Sequence, residues 1–317
     1  MFELRHIKSI VAGAALSLSS CIAMAGDFPE RPVDLVVGFK AGGGTDTYAR
    51  ALASVAEKHL GGQPIVVVNK PGGGGLVGGR FVADQPPTGY TLYLASAGSL
   101  VLKNILKPQV VSVADFKMVG TIGALTPGIF VPASSPIKTM DDLLAAAKSS
   151  ESALRWGHTG RGNTWHVAGL GFLNPNKART KDIPFKGGAG VRAAVASSEV
   201  DFGVMGAHLI RGFESDMRLL AVISNTRHPA TPDTPTLKEL GVDFVPVSTP
   251  MIVMAPAKTD DAVVAKLSEA VAAMSSDSAF VATLDKAGLP SMSVNGPDTA
   301  EALKVSSGQW AELLSGI

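Results

Sequence analysis

Short apolar runs alternate with segments in which apolar residues return every three or four positions, and the alternation persists from about residue 33 onward. The first run, Val33-Asp34-Leu35-Val36-Val37-Gly38-Phe39, is brief, rich in valine and bounded by Pro32, which predicts a buried parallel strand. After it, Tyr48, Leu52, Val55, Ala56 and Leu60 recur at helical spacing, and either Thr45 or Asp46 is placed to cap the first turn. Ile65 to Asn69 reads as a second strand, followed by a helix from Leu76. Further strands are predicted at Thr91 to Ala95, Lys117 to Gly123, Gly128 to Pro132, Leu154 to Gly157, Asp182 to Phe185, Val200 to Met205, Leu219 to Ser224 and Met251 to Ala255. Helices fit between them, among them Thr139 to Lys148, Thr164 to Phe172, Gly190 to Ser197, Asp260 to Ser275 and Thr299 to Leu314.

This is the pattern of an α/β protein built on mainly parallel sheets. The length suggests two domains, yet no low-complexity linker divides the chain. The strands themselves must then cross between the domains, near Thr121 to Ile129 and again near Val245 to Met251. Such an architecture places a ligand in the cleft where glycine turns and helix amino termini converge.

Two turns carry unusual glycine runs, Gly42 to Gly44 before the first helix and Gly72 to Gly75 after the second strand. A strand, a glycine turn and a helix leave the first helical N–H groups without internal partners, and the helix dipole favours an anion there. No Lys-Ser/Thr pair follows Gly44, so the first loop is not a nucleotide-triphosphate loop. Gly73, Gly75 and Gly78 satisfy G-x-G-x-x-G, but about 20 residues on, where a dinucleotide site wants an acid, the chain reads Ala95-Ser96-Ala97-Gly98.

The amino end also argues against nucleotide cofactors. Arg5 and Lys8 precede an apolar stretch from Ile10 to Leu18, and Ala23-Met24-Ala25 offers the small-residue site of a secretory signal peptide over residues 1–25. Cleavage there leaves 317 − 25 = 292 residues with no later apolar run long enough to cross a membrane. The single cysteine, Cys21, lies inside this leader; Leu18-Ser19-Ser20-Cys21 also resembles a lipoprotein cleavage box, which would leave Cys21 as a lipidated first residue. Of the two, free secretion to the periplasm is the cleaner reading. Hydrophobic residues make up 46% of the chain, enough for a sizeable core, and a net charge of +1 without a basic run leaves no nucleic-acid footprint.

Six segments, FPERPVDLVVGFKAGGGTDTYARALA, GGQPIVVVNKPGGGGLVGG, PPTGYTLYLAS, WGHTGRGNTWHVAG, IPFKGGAG and TPDTPTLKELG, stand in the order and near the spacing found in the Bug family. These are the extracytoplasmic solute-binding proteins of tripartite tricarboxylate transporters, and the resemblance covers essentially all of the chain after the leader. It implies a two-lobed periplasmic-binding-protein fold of type II, with lobe 1 over 26–124 and 247–317 and lobe 2 over 125–246. It implies a small carboxylate as ligand, membrane transporter subunits as partners, a monomer, no cofactor and no catalysis. By motif match the ligand-binding positions are Gly43, Gly44, Thr45 and Asp46 in the first loop, Gly73, Gly74 and Gly75 in the second, Ser96 and Gly98 after the third strand, and Thr159, Asn163 and Thr164 in the facing lobe. The sequence departs from the family at Lys40 and Ala41, at His158-Thr159-Gly160-Arg161-Gly162, and at Val247-Ser248-Thr249-Pro250.

Several residues keep two readings. Asp46 either serves the helix amino terminus or faces the ligand, where an ionised carboxylate would favour amino or hydroxy acids. Arg161 either grips a distal carboxylate of the ligand through two parallel hydrogen bonds or is an exposed loop arginine. Lys40 is either a solvated side chain, the leading reading, or touches the ligand, and Trp165 either stacks on an aromatic acid or packs the domain surface. His158 and His166 are not accompanied by Asp, Glu or Cys at ligand spacing along the chain, so no metal site is expected. No G-x-S-x-G occurs, which removes the strongest sequence argument for a secreted hydrolase. A receptor feeding a transporter is the leading class, a ligand-sensing input to a sensor kinase is its alternative, and a secreted hydrolase with a triad assembled from distant residues comes third.

Overall fold

A computed structural model describes residues 28–106, 111–149, 152–247 and 249–314. The leader and its alternative lipoprotein box lie outside the described residues. From the amino end the elements are β1 (Val33–Val37), α1 (Gly44–Ala53), α2 (Ala56–His59), β2 (Ile65–Asn69), α3 (Leu76–Ala83), β3 (Thr91–Ser96), α4 (Ala97–Leu106) and β4 (Phe116–Leu125). There follow β5 (Pro127–Pro132), α5 (Met140–Ser149), β6 (Leu154–His158), α6 (Thr164–Leu173), β7 (Thr180–Pro184), α7 (Gly188–Ala196), β8 (Phe202–Gly206) and β9 (Met217–Val222). The chain ends with β10 (Thr249–Pro256), α8 (Asp261–Ser275), α9 (Ser278–Ala287), β11 (Ser291–Asn295) and α10 (Gly296–Leu314).

These strands form two sheets, one in the order β11-β4-β10-β3-β1-β2 and the other β7-β6-β8-β5-β9. The chain leaves the first sheet after Leu125, enters the second at Pro127 and returns through β10. Both sheets are mixed rather than mainly parallel. The glycine-turn units pair in parallel, β1 with β2 and β3, and β6 with β7 and β8. The antiparallel neighbours are strands at the crossings and one edge: β10 against β3 and β4, β11 against β4, and β5 against β8 and β9. A chain that leaves a sheet on one strand and comes back beside it must reverse direction, so mixed pairing is a consequence of the crossings.

Register fixes where the loops meet. Leu125 pairs with Thr249 and Ser96 with Met251, while Val37 pairs with Asn69 and Leu94. The carboxyl ends of β1, β2, β3 and β4 therefore share the edge of the first sheet from which the crossings depart. In the second sheet Gly206 pairs with Pro127, Val222 with Gly128 and His158 with Pro184, so the carboxyl ends of β6 to β9 also lie at the crossing edge. The two sets of strand-end loops face a common cleft.

The central strands are buried on both faces. Leu35, Val36, Val37, Tyr93 and Leu94 in the first sheet and Phe202, Val204 and Met205 in the second have no exposed surface. Each such aliphatic or aromatic side chain contributes about 1.5–3 kcal/mol of burial free energy. One apolar cluster includes Tyr93 and Leu100 from the first lobe and Trp156 and Phe172 from the second, and Trp165 at the start of α6 packs against the first-lobe core. The lobes are thus in contact beside the cleft.

Candidate functional site

Gly43 is the N-cap of α1, with φ −92° and ψ 169°, and no side chain caps the helix. The first turn is therefore without a side-chain cap, and the loop that carries it leaves β1 at the crossing edge. The expectation that Thr45 or Asp46 caps this helix is corrected: both lie inside its first turn. Asp46 is 3% exposed, and its Oδ2 accepts from the Gly42 N–H at 2.9 Å and Arg50 Nε at 2.8 Å. Its Oδ1 accepts from Asn69 Nδ2 at 2.9 Å. Burial raises the Asp46 pKa, but the bonds from Arg50, Gly42 and Asn69 outweigh it and hold the carboxyl below its usual value. The carboxylate is a tie between the first loop, α1 and the end of β2.

Gly44 has ordinary helical backbone, so the reason for glycine is contact. A Cβ there would stand 3.1 Å from Leu125 Cδ2 and 3.4 Å from His208 Nε2. His208 belongs to the second lobe, which here touches the amino terminus of a first-lobe helix. The second loop differs: Gly72, Gly73, Gly74 and Gly75 have φ of 145°, 57°, 64° and 100°, a run of backbone that L side chains rarely adopt. Tyr93 Oη donates to the Gly75 carbonyl at 2.7 Å and Lys103 Nζ donates to the Gly73 carbonyl, fixing the loop from β3 and α4.

Ser96 ends β3 on the same edge. It is 7% exposed, and its Oγ is buried without a hydrogen-bond partner. Gly98 is buried in the first turn of α4.

The facing loop between β6 and α6 is self-contained. Asn163 is the N-cap of α6: its Oδ1 accepts from Trp165 N and His166 N, both at 3.1 Å, and its Nδ2 donates to Thr159 Oγ1 at 2.6 Å. Thr164 is buried. Arg161 Nε donates to Asp182 Oδ2 at 2.6 Å and Nη2 to Oδ1 at 3.2 Å. In the second lobe α6 is thus capped by its own asparagine, whereas α7, with Gly187 as its N-cap, has no side-chain cap, like α1 in the first lobe.

Asp182 lies 24 residues from His158 in sequence, and its Oδ2 is 3.1 Å from His158 Nε2. His158, His166 and Asp182 bring ligand atoms within 4.8 Å of one another, which corrects the expectation that no acid accompanies the histidines. Their hydrogen bonding still argues against a metal. Gly160 N–H donates to His158 Nδ1 and Gly162 N–H to His166 Nδ1, each at 3.2 Å. With both Nδ1 atoms accepting, the neutral rings carry their protons on Nε2, the atoms that would have to ligate. The set is a tether for the loop. The Arg161 bond draws Asp182 down to about 2, while burial, reinforced by His158, pushes His166 down to about 4. His158 is also lowered, chiefly by burial.

His208 and Lys103 have no local motif around them. The signal that could have found His208 is positional, since it stands two residues beyond the carboxyl end of a central strand. A groove of about 910 Å³ is lined by Phe116, Met118, Val264 and Leu303. It lies at the start of β4, the end away from the glycine loops.

The tripartite tricarboxylate transporter family receptor model matches residues 48–317. A Cupriavidus necator protein, described as a UPF0065 protein in the gbd 5′ region, is 34% identical over 268 residues, covering 83% of this chain and 80% of its own. Among solved structures, the periplasmic binding protein BugD is 28% identical with a TM-score of 0.81, covering 91% of this chain and 98% of its own. A Rhodopseudomonas palustris protein solved with adipate is 26% identical with a TM-score of 0.83 over the same shares. The chain belongs to the tripartite tricarboxylate transporter receptor family, the Bug-type extracytoplasmic solute-binding proteins, which bind solutes rather than transform them.

Proposed function

We propose that the protein captures a small carboxylate in the cleft between its lobes and hands it to the membrane subunits of a tripartite transporter. The observation that carries this reading is the uncapped amino terminus of α1, flanked by the glycine run of the second loop and by the buried, unpartnered Ser96 Oγ. Amides at a helix amino terminus, a nearby hydroxyl and the helix dipole form a donor set suited to a carboxylate. Gly43, Gly44, Thr45, Gly73, Gly74, Gly75, Ser96 and Gly98 supply this half of the site, and Thr159 and Thr164 face it from the second lobe. The similar protein solved with adipate supports a carboxylate as the ligand class. Export by the amino-terminal leader places the receptor in the periplasm, and no helix among the described residues is long and apolar enough to cross a membrane.

The test is a thermal-shift screen of mono-, di- and tricarboxylates, adipate among them, followed by calorimetry. Selective stabilisation by a carboxylate is expected, because a ligand that binds only the native state raises its melting temperature. Loss of uptake of that same compound on deletion of the gene would establish delivery. Uptake that is unchanged, with ligand-dependent transcription lost instead, would point to sensing.

A further inference from the structure

His208 is the polar side chain of the second lobe that reaches the open end of α1. A Cβ on its neighbour Gly206 would meet the ring at Cε1, 2.4 Å, and Nδ1, 2.7 Å, so Nδ1 lies against the strand end. That Nδ1 is sealed from solvent and has no hydrogen-bond partner. Nε2 is the ring nitrogen nearest Gly44 across the cleft, 3.4 Å from where a Cβ there would stand. Leaving a lone pair unpartnered costs less than burying an unpartnered N–H, so the neutral ring keeps its proton on Nε2.

We propose that His208 is a ligand-contacting residue whose Nε2–H completes the carboxylate cradle formed by the α1 amides and Ser96. This rests on the carboxylate-receptor reading above and deepens it, by supplying the donor through which the second lobe senses the anion held by the first. Two features set it apart from a mere space-filler. A leucine would fill the same gap without a sealed polar atom. And the neighbouring donors already converge: the uncapped helix and the partnerless, 7% exposed Ser96 lie on the strand edge that His208 faces. Burial, with His228 and Arg192 nearby, keeps the imidazole pKa at about 4, so at neutral pH the group is an uncharged donor. Gly44 is then glycine because this donor must come close to the helix end.

Acetate, the bare carboxylate, is the probe. Titration of the isotope-labelled protein at pH 7.5, followed by NMR of the His208 imidazole and of the Gly44 and Thr45 amides, should move all three with one shared dissociation constant. His208→Leu should weaken acetate about tenfold or more, while His208→Gln, which retains an N–H, should stay within about threefold of wild type. If the Gly44 and Thr45 amides respond but the imidazole does not, or His208→Leu binds acetate as wild type does, the cradle stands and this inference falls. If saturating acetate moves none of the three, the carboxylate reading falls with it. The wild-type titration decides the matter even where a variant fails to fold.

Discussion

Arg161 embraces Asp182 through two parallel bonds, Nε to Oδ2 at 2.6 Å and Nη2 to Oδ1 at 3.2 Å. The fork offered by the sequence for a ligand's distal carboxylate already holds a carboxylate of the protein, one that also receives His158. The pair pins the loop bearing Thr159 and Asn163 to the middle of β7. Arg161→Ala should therefore weaken acetate and adipate alike, within about threefold of each other, and Asp182→Asn should do the same; an exposed bidentate pair of this kind is worth about 1 kcal/mol or less. Matched calorimetric titrations check it, and a loss confined to adipate would return Arg161 to the ligand. Asp182, held at about 2 against an ordinary 3.8, adds stability above pH 3.8 that disappears as the pH falls toward 2.

Asp46 makes the opposite kind of prediction from the one its position suggests. A plain N-cap tolerates Asn, because Asn caps as well. Here both oxygens accept, Oδ2 from Gly42 and Arg50 and Oδ1 from Asn69. Asp46→Asn turns an NH2 group toward one of these donors and removes the charge from the rest. Denaturant unfolding should show a loss of about 1–3 kcal/mol without any ligand present. Ligand preference between amino and non-amino acids should not change, since the carboxylate is engaged within lobe 1. Intact stability with a selective loss of amino acids would overturn this account.

The histidines set an acid limit in a different pH window. His166, His208 and His228 are each pushed from 6.5 to about 4, foremost by burial. A base whose folded pKa is depressed is protonated first in the unfolded chain, so stability is full above pH 6.5, falls between 6.5 and 4 and levels off below. For His166 the groups facing it are His158, Arg161 and Asp182. His166→Gln keeps an acceptor for the Gly162 N–H without titrating, and should flatten the decline between pH 7 and 4 by roughly 2–3 kcal/mol. Urea unfolding at pH 7, 6, 5 and 4 measures it; equal slopes for variant and wild type would remove His166 from the explanation.

The parallel βα units were legible because local chemistry writes them: β-branched runs, glycine turns and helical periodicity lie within about ten residues of one another. The Gly72 to Gly75 run is legible as a turn, and its backbone lies at positive φ throughout. What escaped was set at long range. Ser291–Asn295 forms an edge strand from a polar, half-exposed pentapeptide, whose pairing with β4 nothing in its own composition announces. The helical pattern from Tyr48 to Leu60 breaks into α1 and α2 around Ser54 and Val55. Asp182 reaches His158 because β6 and β7 pair in parallel with Asp182 opposite Trp156, a neighbourhood that spacing along the chain does not reveal. The same reasoning explains Asp46 and Arg161: the sequence shows that a charge is present but not the partner that folding delivers to it.

Arg211 carries the last prediction, about how the two lobes hold together. From the turn after β8 its Nη1 donates to the carbonyls of Asp285 at 3.1 Å and Lys286 at 2.7 Å, in the final turn of α9 in the other lobe. The Asp285 carbonyl also accepts the Gly288 N–H at 3.0 Å, and a cation is favoured at that end of the dipole. Gly288, at φ 70°, ends the helix, and a Cβ on it would lie 3.0 Å from Arg211 Nε and 3.2 Å from Ala230 Cβ, so the contact is close-packed. Arg211→Ala should cost the closed arrangement about 1 kcal/mol and shift the population toward open forms. The radius of gyration of the unliganded protein by small-angle scattering should rise. Carboxylate affinity should fall about threefold to tenfold through the added cost of closing, with Arg211→Lys in between because a cation remains but the planar guanidinium packed against Gly288 is lost. An unchanged radius together with unchanged affinity would show that the contact follows lobe closure without stabilising it.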